Sequence, residues 1–239
     1  MNPTPDGIVY ADWGFFQLNG TIVFTWVVMA IIMVTVLIAT QRLRTGPDIS
    51  GLQNMIEAVV DTLRSQMRDM LGRGGIMYLS FVGTLFLFIS LSNLLSVLPV
   101  YDPPTASFSM TSALAITVFV AVPAFGIAER GVGAYFAHYL QPSPLMLPFN
   151  IISELSRTLS LSVRLFGNIM SGTMIVGVLL SLAPLFVPLI MEALGLLIGQ
   201  IQAYIFAALA TVYIGSGLKS RDEAESSNDS NDSNEAQKE

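Results

Sequence analysis

Residues 149–182 read FNIISELSRTLSLSVRLFGNIMSGTMIVGVLLSL, and this stretch decides the fold. No proline interrupts these 34 residues. As one helix they span ~50 Å at ~1.5 Å per residue. The hydrocarbon core of a bilayer is only about 30 Å thick, so a helix of this length must tilt steeply or lie partly in the membrane plane. Along it Asn150, Ser153, Glu154, Arg157, Ser160, Arg164, Asn168 and Ser171 recur at steps of three or four, forming one polar face. A charge at mid-membrane costs roughly 2.5–3.5 kcal/mol on an insertion scale, and such residues normally face a cavity or a partner. Arg164 stands ten residues from Glu154, the nearest carboxylate on its own helix, which is ~15 Å along the axis. Its counter-charge is therefore expected on another protein.

Outward from this stretch the chain keeps the same character. Of 239 residues, 53% are hydrophobic and 12% charged, about half the ~25% charge of a soluble domain. Uncharged runs cover 13–41, 74–101, 103–128, 131–153, 165–191 and 193–218, each longer than a membrane-crossing helix needs. Pro103–Pro104 and the Gln141-Pro-Ser-Pro break keep two of these runs from adding simple extra spans. Spans are expected near 18–40, 77–99, 109–135, 149–182 and 189–217. The fold class is an all-α membrane protein with about five transmembrane helices. Residues 1–219 form one integral membrane domain, and 149–217 form a long tilted hairpin within it.

Orientation follows from the cations. Arg42, Arg44, Arg64, Arg68 and Arg73 lie between the first two spans, Arg130 follows the third, and Lys219, Arg221 and Lys238 follow the last. The opposite loops carry none, which predicts an outer N-terminus and a cytoplasmic C-terminus. Trp13 and Trp26 fit anchoring at the outer interface. Within 51–71, Leu52, Met55, Ile56, Val59, Val60, Leu63, Met67 and Met70 recur at helical spacing opposite Gln53, Glu57, Asp61, Arg64 and Arg68. That pattern predicts an amphipathic helix on the cytoplasmic membrane surface or against a partner's helix. Ser, Asn, Asp and Glu dominate 220–239, which reads as a disordered acidic tail. The net charge of −6 comes largely from that tail, and no nucleic-acid partner is expected. The opening residues lack a basic stretch followed by an apolar core, so no cleaved signal peptide is expected.

Beyond Pro184 and Pro188, the returning helix carries Glu192, Gly195, Gly199 and Gln202 on one face. A turn centred near 185–186 sets Asn168 opposite Ala203, beside Gln202, and Arg164 level with Ala207. Glu192 then falls near the outer surface and Glu154 towards the cytoplasmic end. Polar groups line both halves of the hairpin, with a permanent cation between them. A guanidinium does not deprotonate in a protein, so Arg164 cannot relay a proton, but it can repel cations and pair with a mobile carboxylate. Two half-channels separated by a fixed positive charge is the layout of a rotary ion motor.

At these residues the chain resembles a known family. Leu159-Ser-Leu-Ser-Val-Arg164-Leu-Phe-Gly-Asn168 is similar to the signature of subunit a of F-type ATP synthases, and Gln202-Ala-Tyr-Ile-Phe206 and Val212-Tyr-Ile214 to its last-helix motif. The preceding Leu147-Pro-Phe-Asn150 and the five-span topology extend the likeness over about 50–218. The resemblance implies that Arg164 faces the carboxylate of each passing c-ring subunit, assisted by Asn168 and Gln202. It implies peripheral-stalk b subunits as further partners, H+ as the carried ion, and no cofactor or metal. No transit peptide is read at the start, which favours a bacterial plasma membrane, and the absence of a GxxxxGK[ST] loop for nucleotide predicts a non-catalytic role. Two departures stand out. Many members carry Glu where this chain has Thr173, and some carry His where it has Gly195. Glu192 is the candidate to replace the missing outer carboxylate, and the scarcity of titratable groups keeps Na+ open as the ion. The ion-path set is therefore Arg164, Asn168, Gln202, Glu192, Glu154, Asn150, Ser171 and Thr173.

Plainer readings stand beside these. Asn168 and Gln202 also suit interhelical hydrogen bonding, Glu154 and Arg157 an ordinary ion pair, and Glu192 a residue touching interfacial water. His138, alone in a connection, has no expected role. A free-standing secondary transporter would show internal repeats and broken helices. One His, no Cys and no paired intramembrane carboxylates leave little for an intramembrane hydrolytic enzyme.

Overall fold

A computed structural model of the chain describes residues 9–12, 17–41, 51–98, 101–131, 146–182 and 187–235. Val9–Asp12 (β1) and Gln17–Asn19 (β2) pair antiparallel, with Val9 opposite Asn19 and a bulge before Ala11. This small hairpin is an addition to the all-helical expectation. The described elements after it are helices: α1 Gly20–Gln41, α2 Gly51–Leu71, α3 Leu79–Leu95, α4 Phe108–Arg130, α5 Met146–Leu182 and α6 Val187–Glu235, with two short 3-10 turns between them. Five of the described helices are long and apolar enough to cross a membrane, through Gly20–Ile38, Gly75–Leu95, Phe108–Ala128, Ile152–Ser181 and Leu189–Gly215. The sixth, α2, is the amphipathic one. The segments around His138 and Trp13, the 183–186 turn and residues 236–239 lie outside the described residues.

Local chemistry sets the boundaries. Gly72 adopts φ 69° after α2, a left-handed conformation that favours glycine, and a 3-10 turn over Arg73–Tyr78 then leads into α3. The third span ends at Arg130 and not at the expected 135, because Gly131 takes φ 80° and closes the helix with its N–H on the Ile127 carbonyl at 2.8 Å. α5 begins three residues earlier than expected, at Met146; Pro148 is tolerated because it falls in the first turn, where its missing N–H has no helical partner to lose. The last helix does not stop near 217. Its backbone continues to Glu235 through the segment expected to be a disordered tail, where neither Gly nor Pro follows Gly217 to break it.

Two buried clusters hold the helices together. The larger joins Val28 of α1, Phe88 and Ile89 of α3, Ala115 and Val118 of α4, Leu161 and Leu165 of α5, and Ala203, Phe206 and Ala210 of α6. The second gathers Met67 of α2, Tyr78, Val82, Val122, Ala207 and Ile214. The amphipathic helix thus turns Leu63 and Met67 into this chain's own core. Leu161 and Leu165 share a cluster with Phe206 and Ala210 of the returning helix.

Packing stops abruptly along the hairpin. The Phe108 and Phe166 rings meet at 5.5 Å, and Ser112 and Ser162 hydroxyls at 3.0 Å, so the start of α4 is level with residue 166 of α5. No described α5 residue beyond Leu165 is buried, nor any described α6 residue before Gly199. The 13 residues 170–182 alone extend ~20 Å past this contact. The tip overhangs the bundle, with Met174, Ile175, Val178, Leu189, Ile190 and Leu194 exposed. A tilted hairpin satisfies the length mismatch read from the sequence, and its bare apolar surface needs lipid or a protein partner.

Phe206 is 0% exposed and Met174 53%. Phe206→Ala should cost about 3–5 kcal/mol and lower the thermal midpoint of the detergent-purified protein, whereas Met174→Ala should change it little.

Candidate functional site

The polar face of α5 points away from the chain's own core. Ser153, Arg157, Ser160, Arg164 and Ser171 are exposed, and Glu154 and Asn168 half-buried. Arg164 has no hydrogen-bond or ion-pair partner among the described residues. The reason is geometric: Leu161 and Leu165, on either side of it, take the buried positions against α4 and α6 and leave the guanidinium on the opposite side. Ser171 and Thr173 donate to carbonyls of their own helix, those of Asn168 and Met170, each at 3.0 Å. Such back-bonding satisfies the hydroxyls locally. The side chain of Asn150 lies outside the described set.

The expected second face of α6 divides in two. Glu192 and Gly195 are exposed on the overhang, whereas Gly199 and Gln202 are buried. Seven residues separate Glu192 from Gly199, ~10 Å along the helix. At Gly199 α6 lies against Asn93 of α3, whose amide bonds to the Gly199 carbonyl. Gln202 is 6% exposed, and its Nε2 has no hydrogen-bond partner. No hydrogen bond joins Arg164, Asn168 and Gln202 among the described residues. Gln202 faces the interior of the bundle, while Arg164 faces outward.

Towards the α2 end of the bundle, α4, α5 and α6 leave a small cleft of about 20 Å³ lined by Glu154, Arg157, Thr158 and Tyr213, with Val118 and Val122 at its wall. The Arg157 guanidinium lies over the Tyr213 ring, 5.5 Å from its centroid, a cation–π contact that holds the charge at the cleft. Thr158 donates to the Glu154 carbonyl at 3.0 Å. Tyr213 is the residue of this cleft that the α5 polar pattern did not disclose, since it arrives from the returning helix. No group of three or more His, Cys, Asp or Glu suited to a metal occurs among the described residues.

A polar network at the other end of the bundle was also missed. Asn93 Nδ2 donates to the Gly199 carbonyl at 2.8 Å, and Thr105 Oγ1 donates to Asn93 Oδ1 at 3.1 Å. Ser92 lies 3.4 Å from both Tyr101 and Thr105 hydroxyls. Gln200 Nε2 donates to the Ser90 carbonyl at 2.9 Å, and Ser90 Oγ donates back to Gln200 Oε1. The signal was the Ser90-Leu-Ser-Asn93 cluster inside an apolar span.

A multi-pass helical membrane protein is defined by these features, with its exposed polar stripe on a hairpin that the rest of the chain only partly packs. Comparison with known proteins narrows the class. The family model described as ATP synthase A chain matches residues 22–215. An "ATP synthase subunit a 2" of Acaryochloris marina is 54% identical over 90% of this chain and 92% of its own length. An "ATP synthase subunit a" of Albidiferax ferrireducens is 51% identical over 92% and 96%. An "ATP synthase subunit a 1" of Chlorobium luteolum is 50% identical over 93% and 100%. The chain belongs to the ATP synthase A chain family, the membrane-sector subunit a of F-type ATP synthases.

Burial in the loop between α3 and α4 pushes the Tyr101 hydroxyl from 10.0 up to about 12, opposed by its hydrogen bond with Ser92. A raised folded-state value keeps the phenol neutral in the fold, so its contribution is intact below pH 10.0 and is lost as pH climbs towards 12. Tyr101→Phe should flatten the fall of thermal stability across that alkaline window, measured by melting curves at stepped pH.

Proposed function

We propose that this chain provides two offset half-channels for H+ and the fixed arginine between them, coupling ion flow to rotation of a c-ring. One observation carries the reading: Arg164 is a permanent cation on an apolar helix, exposed and without a partner among the described residues. Left against hydrocarbon it would be costly, and a carboxylate on a moving neighbour relieves that cost only while it is adjacent. Because the guanidinium keeps its proton, an ion cannot pass through it from one half-channel to the other. The ion instead binds the ring carboxylate as that group leaves Arg164, and rides the ring to the second half-channel.

The cleft of Glu154, Arg157, Thr158 and Tyr213 serves as the inner half-channel in this proposal. Glu154 supplies a titratable group and Tyr213 restrains the neighbouring cation. The outer half-channel approaches along Glu192, Asn168 and Gln202, with Ser171 and Thr173 on its α5 wall and Asn150 at the inner start of the helix. In this arrangement the exposed overhang lies against the ring, and the peripheral-stalk b subunits pack on the remaining helices. The cation distribution puts the N-terminus outside and α2 on the cytoplasmic face of a bacterial plasma membrane.

Ion pumping by the assembled complex in inverted vesicles tests the reading. Arg164→Ala should abolish ATP-driven pumping and open a passive leak, with pumping by the wild type independent of Na+. Coupled pumping that survives the change would sink the stator role, and a strict Na+ requirement would replace H+ as the ion. Glu192→Gln should lower ATP-driven H+ pumping about tenfold or more if this carboxylate admits protons, the scale of a general acid–base contribution. Unchanged pumping would mean Glu192 merely touches interfacial water.

A further inference from the structure

The hairpin that carries Arg164 is anchored at few places. Described residues 189–198 of α6 include no buried position, and the first buried residue is Gly199. At that boundary the buried Asn93 carboxamide donates to the Gly199 carbonyl at 2.8 Å and is itself oriented by Thr105 at 3.1 Å. A helical carbonyl already accepts one N–H from the next turn, so Asn93 takes its second lone pair. Gly199 has no side chain to displace the amide; a Cβ there would sit 3.1 Å from the Asn93 Cβ and 3.2 Å from its Nδ2. One residue on, Gln200 is bonded twice to Ser90, one turn back along α3. Thr105 is held on a turn begun by Pro103 and Pro104, both buried, which limits its freedom.

Gln202 follows Gly199 by three residues on the same helix face, and its own Nε2 has no partner. Its position is thus set by the backbone of α6 and not by a bond of its own. We propose that Asn93, steadied by Thr105, is a positioning residue for the ion path: by gripping the Gly199 carbonyl at the fulcrum of the overhang, it fixes the axial register of α6, and with it Gln202, against load on the unpacked tip. The proposal rests on the reading of Arg164 and the hairpin given above. A slip of α6 along α3 would move Gln202 out of line with α5 while leaving the chain folded.

The test measures ions pumped per ATP hydrolysed, in vesicles, on complexes with wild-type ring and head content. Asn93→Leu keeps the approximate shape without the bond. Asn93→Ala combined with Gly199→Ala refills the contact with a methyl group but restores no bond. Both should assemble and lose coupling about tenfold, the scale of a lost buried hydrogen bond. Thr105→Val removes only the bond that orients Asn93, should act in the same direction more weakly, and decides the matter where the Asn93 variants do not assemble. Wild-type coupling in the Asn93→Ala, Gly199→Ala double variant, or in Thr105→Val as the fallback, overturns the proposal, because shape alone would then suffice. Arg164→Ala run in parallel separates the two readings: coupling that survives there fails the stator assignment, independently of the anchor.

Discussion

A cation that cannot lose its proton, placed on a membrane helix without a partner among the described residues, is the constraint on which the rest of this architecture depends. Burying it against another helix of the same chain would demand an internal carboxylate, and α5 offers none within ~15 Å along its axis. The chain instead buries the leucines that flank it and turns Arg164 outward. That choice separates two surfaces of one helix. The apolar face fixes α5 to α4 and α6, and the polar face is left for a neighbour.

Support for this arrangement is concentrated near the middle of the hairpin. α4 grips α5 through Ser112–Ser162 and Phe108–Phe166, and α3 grips α6 through Asn93–Gly199 and Ser90–Gln200. From the opposite end, α2 contributes Met67 to the core around Ala207 and Ile214, and Gln66 donates to the Tyr204 hydroxyl. Beyond these contacts the tip extends without cover. A packed middle and an uncovered tip suit the proposed stator role, in which the ion-path residues stay fixed while another surface moves past them. Hydrogen bonds between buried polar groups fit that need better than apolar packing alone, because they fix axial register as well as separation.

Much of the fold was legible from composition and pattern, and the reasons are physical. A bilayer imposes length and hydropathy on each crossing, so five spans, their order and the amphipathic α2 could be read directly. The ends were less legible. Gly131 stops α4 five residues early through a backbone conformation that hydropathy does not encode, and the continuation of α6 to Glu235 ran against the polar composition of 220–239. The polar stripe of α5 was visible because it lies within one helix. The Glu192-to-Gln202 face was only half right, since burial depends on where α3 begins to touch α6.

By itself the sequence determined the class of protein, the number of crossings, the long fourth helix and the isolation of Arg164 from any carboxylate near it on that helix. Each of these follows from local periodicity and from the cost of charge in hydrocarbon. Only the tertiary structure decided which polar groups meet: Tyr213 with Arg157, Asn93 with Gly199, and Gln202 inward while Glu192 stays out. Such polar pairings join residues up to 138 positions apart, as between Gln66 and Tyr204, and depend on the axial register of one helix against another. No periodicity within a single helix carries that register; it is set where the helices pack.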